Sequence, residues 1–304
     1  MSDKMRLRLQ SAMEYLMTYG WAILIIAVVL GALFQLGIFN ASTFTPKAPP
    51  GACHVFRPNG PGTTSFINLQ GICNGELPQY VGVFSGSSYI KIPASTSLSS
   101  PFANGKITIT VWINVNQFTT ASVLDYGSVQ GGAYCTPAYI SIYNKQILGG
   151  IQQQNIGDFS PAAPIGTISL QNWYFASFNL TTGVGGSTGS DGSLNSAPSA
   201  LTLDAQSNIG PLFIGSGVCG TTNPTANPFY GKIANVQIYN TTLSSNEIVG
   251  LYNEGIGGAP VKLSNLVGWW PLNGDAKDYS GNNNNGVPTA VSFTSSWESG
   301  YSAP

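Results

Sequence analysis

From Leu16 to Phe39 the chain carries no charged side chain, and its only strongly polar ones are Thr18 and Gln35. A run of that length in helical form covers the roughly 30 Å hydrocarbon core of a bilayer. Lys4, Arg6 and Arg8 precede it, and no charge follows until Lys47. This asymmetry predicts a cytoplasmic leader and an exported remainder. An ordinary secretory signal has a shorter apolar region that closes on a small-residue cleavage site, and no clear site of that kind is present. The spacing therefore predicts a helix over residues 10–39 that stays on the protein.

Gln10, Ser11, Ala12, Met13, Glu14 and Tyr15, placed between the basic leader and the apolar run, resemble the class III signal peptide of archaeal type IV pilins. The resemblance covers about the first forty residues. It implies cleavage by a prepilin peptidase at Leu9-Gln10, although family members usually carry Gly where Leu9 stands. Residues 1–9 would be the leader, and Glu14 would become the fifth residue of the mature chain. There the family keeps a carboxylate that meets a neighbouring subunit's new amino terminus. Pairing is physically reasonable, because a lone carboxylate entering hydrocarbon is costly. The alternative is local: Ser11 and Glu14 form a capping box, with Glu14 favoured by the positive helix end. Ala27 and Gly31 form a small-xxx-small pair that would let helices approach closely. The implied partners are further copies of the chain and the pilus assembly machinery.

Charged residues make up 8% of the 304-residue chain, against about a quarter in ordinary soluble domains. This composition fits an exported surface. Eleven basic residues against twelve acidic ones, with no basic cluster beyond the leader, leave no electrostatic footprint for nucleic acid. Cys53, Cys73, Cys135 and Cys219 fall on the exported side, where disulfides persist. Cys53 and Cys73 flank the Pro/Gly-rich stretch Arg57 to Gly62 and are expected to clip a hairpin. That leaves Cys135 for Cys219. Three pairings are open to four cysteines, and zinc is the rival use. However, no Cys-x-x-Cys exists, and the sole histidine, His54, adjoins Cys53 without suitable partners. Asn40, Asn179 and Asn240 open Asn-x-Ser/Thr triplets that become glycosylation acceptors if exported.

Residues 40–76 read as a Ser/Thr/Pro-rich linker followed by the Cys-clipped hairpin, and residues 77–304 as the head. Tyr89 to Pro93, Ile107 to Ile113, Tyr139 to Tyr143, Trp173 to Asn179 and Ile233 to Tyr239 alternate with period two between Gly/Pro/Asn turns. Many such short strands imply an all-β sandwich. Gly183 to Ser199 reads as a mobile Gly/Ser loop. Ser244 to Tyr252 is the only good short helix, capped by Ser244 with Glu247 three residues on.

Val83 to Pro93, Thr108 to Ile113, Asn172 to Ala176 and above all Phe229 to Tyr252 resemble a concanavalin A-like domain of the laminin-G-like type. The fold this implies is a jelly-roll sandwich behind a long N-terminal helix. Trp269 to Gly286 resembles the segment that normally opens such a domain, yet here it follows the closing block. Either the domain is permuted, or the segment completes a neighbour's sandwich; intramolecular completion is the default, given the short Gly255 to Pro260 connection. In relatives the Asp of this segment can hold a structural calcium, which points to Asp278 and Asn282. Ala234 stands where relatives often have a further acid, and an Asx-rich turn is the plainer reading.

Relatives also include glycan-cleaving enzymes, which need two carboxylates several ångströms apart. Asp125, Asp158 and Asp204 are isolated in the sequence, and no catalytic set emerges. Trp112, Trp173 and Tyr239 are expected in the core, and one of Trp269 and Trp270 should face outward, where it could stack on a sugar or on another subunit. Two readings stand. One is a surface filament subunit with an adhesive β-sandwich head, inserted in the cytoplasmic membrane before assembly. The other is a monomeric, membrane-anchored carbohydrate-binding protein.

Overall fold

Strand β5 (Lys106–Val115) sets the plan of the head. Ile107, Ile109, Val111, Ile113 and Val115 point one way into the central core, and Trp112 points the other way into a second apolar cluster. Both faces of this strand are buried, so the sheet that contains it must be covered on both sides. In the computed structural model the described residues are 19, 21–30, 53–56, 68–71, 78–128, 135–153, 157–199, 203, 209–218 and 226–296.

Residues 21–30 form helix α1. No helix among the described residues is long and apolar enough to cross a membrane; most of the expected 10–39 helix lies outside them. Strands β1 (Cys53–Phe56) and β2 (Asn68–Gly71) pair as an antiparallel hairpin with Cys53 opposite Gly71, around the Pro/Gly-rich stretch.

Two sheets build the sandwich. Besides β5, the larger contains β3 (Val81–Ser85), β10 (Trp173–Thr181), β11 (Gly185–Ser190), β12 (Ser193–Pro198), β14 (Tyr230–Tyr239), β15 (Leu266–Trp270) and β17 (Ser292–Thr294). Its order is β12-β11-β10-β5-β14-β3-β17, and β15 pairs with the second half of β14. The smaller contains β4 (Tyr89–Ile92), β6 (Ala121–Ser128), β7 (Cys135–Tyr143), β8 (Gln146–Gln153), β9 (Gly157–Phe159), β13 (Ile209–Ile214) and β16 (Val287–Thr289). Its order is β16-β4-β13-β6-β7-β8-β9. Four of the five stretches expected to be strands lie within β5, β7, β10 and β14, and the fifth, Tyr89 to Pro93, forms β4 up to Ile92.

The C-terminal segment completes its own sandwich. β15 pairs with β14, β16 with β4 and β17 with β3, so it contributes strands to both sheets. Trp270 is fully buried between the sheets, and its Nε1 donates to the Asn284 carbonyl at 2.9 Å.

Helix α3 (Ser245–Glu254) covers the outer face of the larger sheet. Its Ile248 and Leu251 join Trp112, Trp173, Phe175, Tyr239 and Trp269 in the second cluster, and Tyr252 stacks on Trp112 with ring centroids 6.0 Å apart. The expected capping box is complete: Ser244 Oγ accepts from Glu247 N, and Glu247 Oε2 accepts from Ser244 N at 2.7 Å. Ser244→Ala is expected to cost about 1 kcal/mol, read as a slightly lowered melting temperature; an unchanged melt would mean that packing alone holds α3.

Three expectations require correction. Gly183 to Ser199 is largely the edge hairpin β11–β12, turning at Asp191 (φ 49°) and Gly192 (φ 80°). Two successive positive φ values make the type I′ geometry that an Asp-Gly pair favours. The hairpin is held in place by Asp191 Oδ1, which accepts from Phe175 N at 2.9 Å. Ser244 to Tyr252 is not the only helix of the head, because α2 (Thr96–Asn104) also forms, capped by Ser95 and closed by Gly105 in the left-handed region. Finally, the outward-facing tryptophan is not exposed. Trp269 does point away from the central core, but α3 and its flanking loop cover that face, and its Nε1 donates to Asn235 Oδ1 at 2.8 Å.

Candidate functional site

On the outer face of the smaller sheet, β6, β7 and β8 and the segments around 160 and 227 enclose a pocket of about 340 Å³, near the lower end of the range for small-molecule sites. A bulge in β6 makes it. The β6–β7 register shifts between Ser122 and Leu124, so Val123 and Leu124 both enter the core. The strand then resumes with Asp125 on the pocket side. Bulges of this kind re-aim a side chain beside a site.

Asp125 is 1% exposed. Its Oδ2 accepts from Val218 N at 3.2 Å, while Oδ1 is buried without a hydrogen-bond partner. Burial pushes the carboxyl well above the ordinary carboxylate range, outweighing the opposing Val218 hydrogen bond. The surrounding backbone is tightly tied: Gly215 N donates to Val123 O at 2.8 Å, Ser122 N to Asn227 O at 2.8 Å and Gly217 N to Ala226 O at 2.7 Å. A Cβ at Gly217 would stand 2.5 Å from Ser122 Oγ and 2.8 Å from Asp125 Oδ2. Only glycine lets that strand close on the carboxyl.

The remaining lining is mostly hydroxyl, amide and phenol, including Ser122, Tyr139, Tyr143, Gln152 and Asn227, with Ala121 and Leu148 the apolar members. Tyr143 is half exposed at the rim. Flat phenol faces beside convergent hydrogen-bonding groups are suited to a polyhydroxylated ligand, whose C–H faces stack while its hydroxyls bond.

The commonest routes of glycosidic hydrolysis use a second carboxylate roughly 5–9.5 Å from the first. Asp125 pairs with Tyr139, Tyr139 with Gly150, and Gln152 with Asp158, so Asp158 sits three strands away. Three interstrand spacings are about 14 Å. Asp125 and Asp158 do not form such a pair.

The Asp278 loop does not fit calcium. Asp278 Oδ1 accepts from Trp269 N at 3.0 Å and Ser280 N at 2.9 Å, and Oδ2 from Ser280 Oγ at 2.9 Å and Asn284 N at 2.8 Å. Four donors already converge on the carboxylate that a cation would need. Asn282 directs its Nδ2 to the carbonyls of Leu266 and Val267, so it too presents a donor. The arrangement is a closed Asx-rich turn that holds β15. Asn179 is buried on β10, its Oδ1 accepting from Ser187 N and Oγ. Asn240 is partly buried, bonded to Ser100 and Asn265. Leu9, Gln10, Glu14, Asn40, Cys73 and Cys219 lie outside the described residues, as do the side chains of Cys53 and Cys135.

Residues 84–249 match the family model of the concanavalin A-like lectin/glucanases superfamily, in its laminin G type. The chain belongs to that superfamily. No curated protein matches the sequence. Among solved structures, a Bacteroides ovatus protein provisionally described as carbohydrate binding aligns over 81% of this chain and 70% of its own, at 15% identity and a TM-score of 0.55. It shares the fold. Mouse laminin alpha1 domains LG4-5 align over 60% of this chain and 47% of theirs (12% identity, TM-score 0.40). Trypanosoma rangeli sialidase aligns over 50% of this chain but 24% of its own length (22% identity, TM-score 0.37). The superfamily holds both binding proteins and hydrolases, so its members are distinguished by their sites.

Proposed function

We propose that this is a lectin-like, carbohydrate-binding protein displayed outside the cell, with the Asp125 pocket as its ligand site. The observation that supports it most is a buried carboxyl with one unpartnered oxygen, set among hydroxyl, amide and phenol groups in a pocket on an outer sheet face. Superfamily membership and the fold shared with the B. ovatus protein support the same reading. The distance between Asp125 and Asp158 favours binding over hydrolysis. Full-length protein in mild detergent, probed on a glycan array, should retain a defined set of glycans. Asp125→Asn and Tyr143→Ala should each weaken the retained set by tenfold or more. Binding indifferent to both substitutions would move the site elsewhere and sink this reading of the pocket.

A second reading concerns how the head is displayed, and a specific observation favours it. Trp21, Ile23, Leu24, Ile25 and Ile26 are all more than half exposed along α1. This surface needs lipid or other apolar helices around it. Together with the signal-like stretch Gln10 to Tyr15, that favours a filament subunit, cut at Leu9-Gln10 and packed through copies of the same helix with Glu14 at the contact. Sheared fibres whose subunit begins at Gln10 would support assembly; an intact leader on detergent-dispersed monomers would leave a membrane-anchored lectin.

A further inference from the structure

Between Ile107 and Gly231 the sequence contains one basic residue, Lys145, against four acids: Asp125, Asp158, Asp191 and Asp204. Every strand that lines the pocket comes from this stretch. Lys145 is at the β7–β8 turn with its Nζ 5.3 Å from the centre of the Phe118 ring, and it is not among the residues lining the pocket. The pocket's lining therefore includes an acid and no base. Among the described residues, the titratable groups beside Asp125 are Tyr139 and Tyr143 of β7, with Lys91 of β4 in the same sheet row two strands away, beyond Phe213; β8, β13, residues 215–218 and residues 226–229 contribute none.

Two consequences follow for a ligand. An acidic sugar, such as a uronic or sialic acid, would bring a second carboxylate against Asp125 with no cation in the lining to neutralise the pair, and would have to hold Asp125 in its protonated form. A cation is the opposite case. Leaving Asp125 Oδ1 buried and unpartnered is costly, and a charged donor is the group that relieves the cost most, since charge-assisted hydrogen bonds are about twice as strong as neutral ones.

We infer that the pocket selects a sugar carrying a free, protonated amine, with the ammonium at the Asp125 end of the pocket and the ring packed against the Tyr143 side. This inference rests on the reading of the pocket as a carbohydrate site and adds the chemical class. The ligand's charge would draw Asp125 into its ionised form, because an opposite charge lowers a carboxyl's affinity for its proton. Binding should therefore strengthen as pH rises, until the ligand amine itself begins to lose its proton.

The test uses the full chain in detergent with four probes: glucosamine oligomers, their N-acetylated counterparts, galacturonic acid oligomers and spermidine. We expect glucosamine oligomers to bind at least tenfold more tightly than the acetylated ones and galacturonic acid oligomers not to bind. Asp125→Asn should erase the preference for the amine. Tyr143→Ala, at a half-exposed position that leaves the core intact, should weaken sugar binding while keeping the ranking. Equal or tighter binding of acetylated or acidic oligomers, still lost in Asp125→Asn, would overturn the amine class and leave the carbohydrate reading standing. Spermidine binding as tightly as glucosamine oligomers would overturn the sugar requirement. Failure of all four probes to bind would overturn the inference, and the glycan array would then decide separately whether the pocket takes sugars at all.

Discussion

Trp270→Ala is expected to leave the head unfolded or barely folded at physiological temperature. The indole is fully buried between the sheets, and truncating a core tryptophan typically costs 3–5 kcal/mol. Its Nε1 also satisfies the Asn284 carbonyl, and orphaning a buried acceptor adds roughly 1–3 kcal/mol. Whole domains have only about 5–15 kcal/mol to lose. A further dependence runs through Gly268, where an added Cβ would sit 2.2 Å from the Trp270 ring, so Gly268→Ala should share much of the effect. Val287→Ala, at a position 59% exposed on β16, provides the control and should shift the melt little. Removing residues 263–304 altogether should go further, because it strips β15, β16 and β17 from both sheets. Loss of a cooperative thermal transition by circular dichroism is the expected readout. A truncated chain that still melts cooperatively would show that the sandwich closes without its C-terminal strands.

The sequence made the central strands legible because their two faces differ. In β5, Ile107, Ile109, Val111 and Ile113 alternate with Thr108, Thr110 and Trp112, and a period of two is visible whether or not the second face is also covered. The α3 cap was legible because Ser244 and Glu247 act within one turn. The edge hairpin was hidden by its own composition: β11 is built from Gly, Ser and Thr on both faces and β12 reads Ser-Leu-Asn-Ser-Ala-Pro, so no apolar alternation appears. The tight fit explains that choice, since a Cβ at Gly186 would stand 2.3 Å from the Asn179 carbonyl. The one available signal was Asp191-Gly192, a hairpin turn pair. The fate of Trp269 could not be read, because alternation gives the face of a strand but not what lies over it. The pocket was least legible of all. Asp125 looks isolated in the sequence, and its partners are Val218, about ninety residues later, and neighbours delivered by a bulge whose position alternation does not reveal.

Asp125→Asn is expected to stabilise the head at neutral pH by an amount that grows with pH. In the unfolded chain Asp125 loses its proton near the ordinary aspartate pKa of about 3.9. In the folded head burial raises the carboxyl well above that value. Between the two, the folded state binds more protons than the unfolded one, so stability falls as pH rises through the window, by about 1.4 kcal/mol for each pH unit it spans. Above the folded value the loss is complete and constant. Asp191 and Glu254 are shifted upward by burial as well. Glu247 is the opposite case, since hydrogen bonds from Lys262 and Ser244 outweigh its desolvation and hold it low. All three are shared by the wild type and the variant, so they cancel in the comparison. The amide of Asn keeps an oxygen for Val218 N and carries no charge to bury. Urea denaturation of both proteins at about pH 3, 5 and 7 should show little difference at the lowest value and a widening advantage for the variant. A gap independent of pH would mean that Asp125 titrates as an ordinary exposed carboxylate, and the buried-acid pocket would then be wrong. A gap that widens, in the same variant that loses its ligand, would show that the head gives up stability to keep this acid where a ligand can reach it.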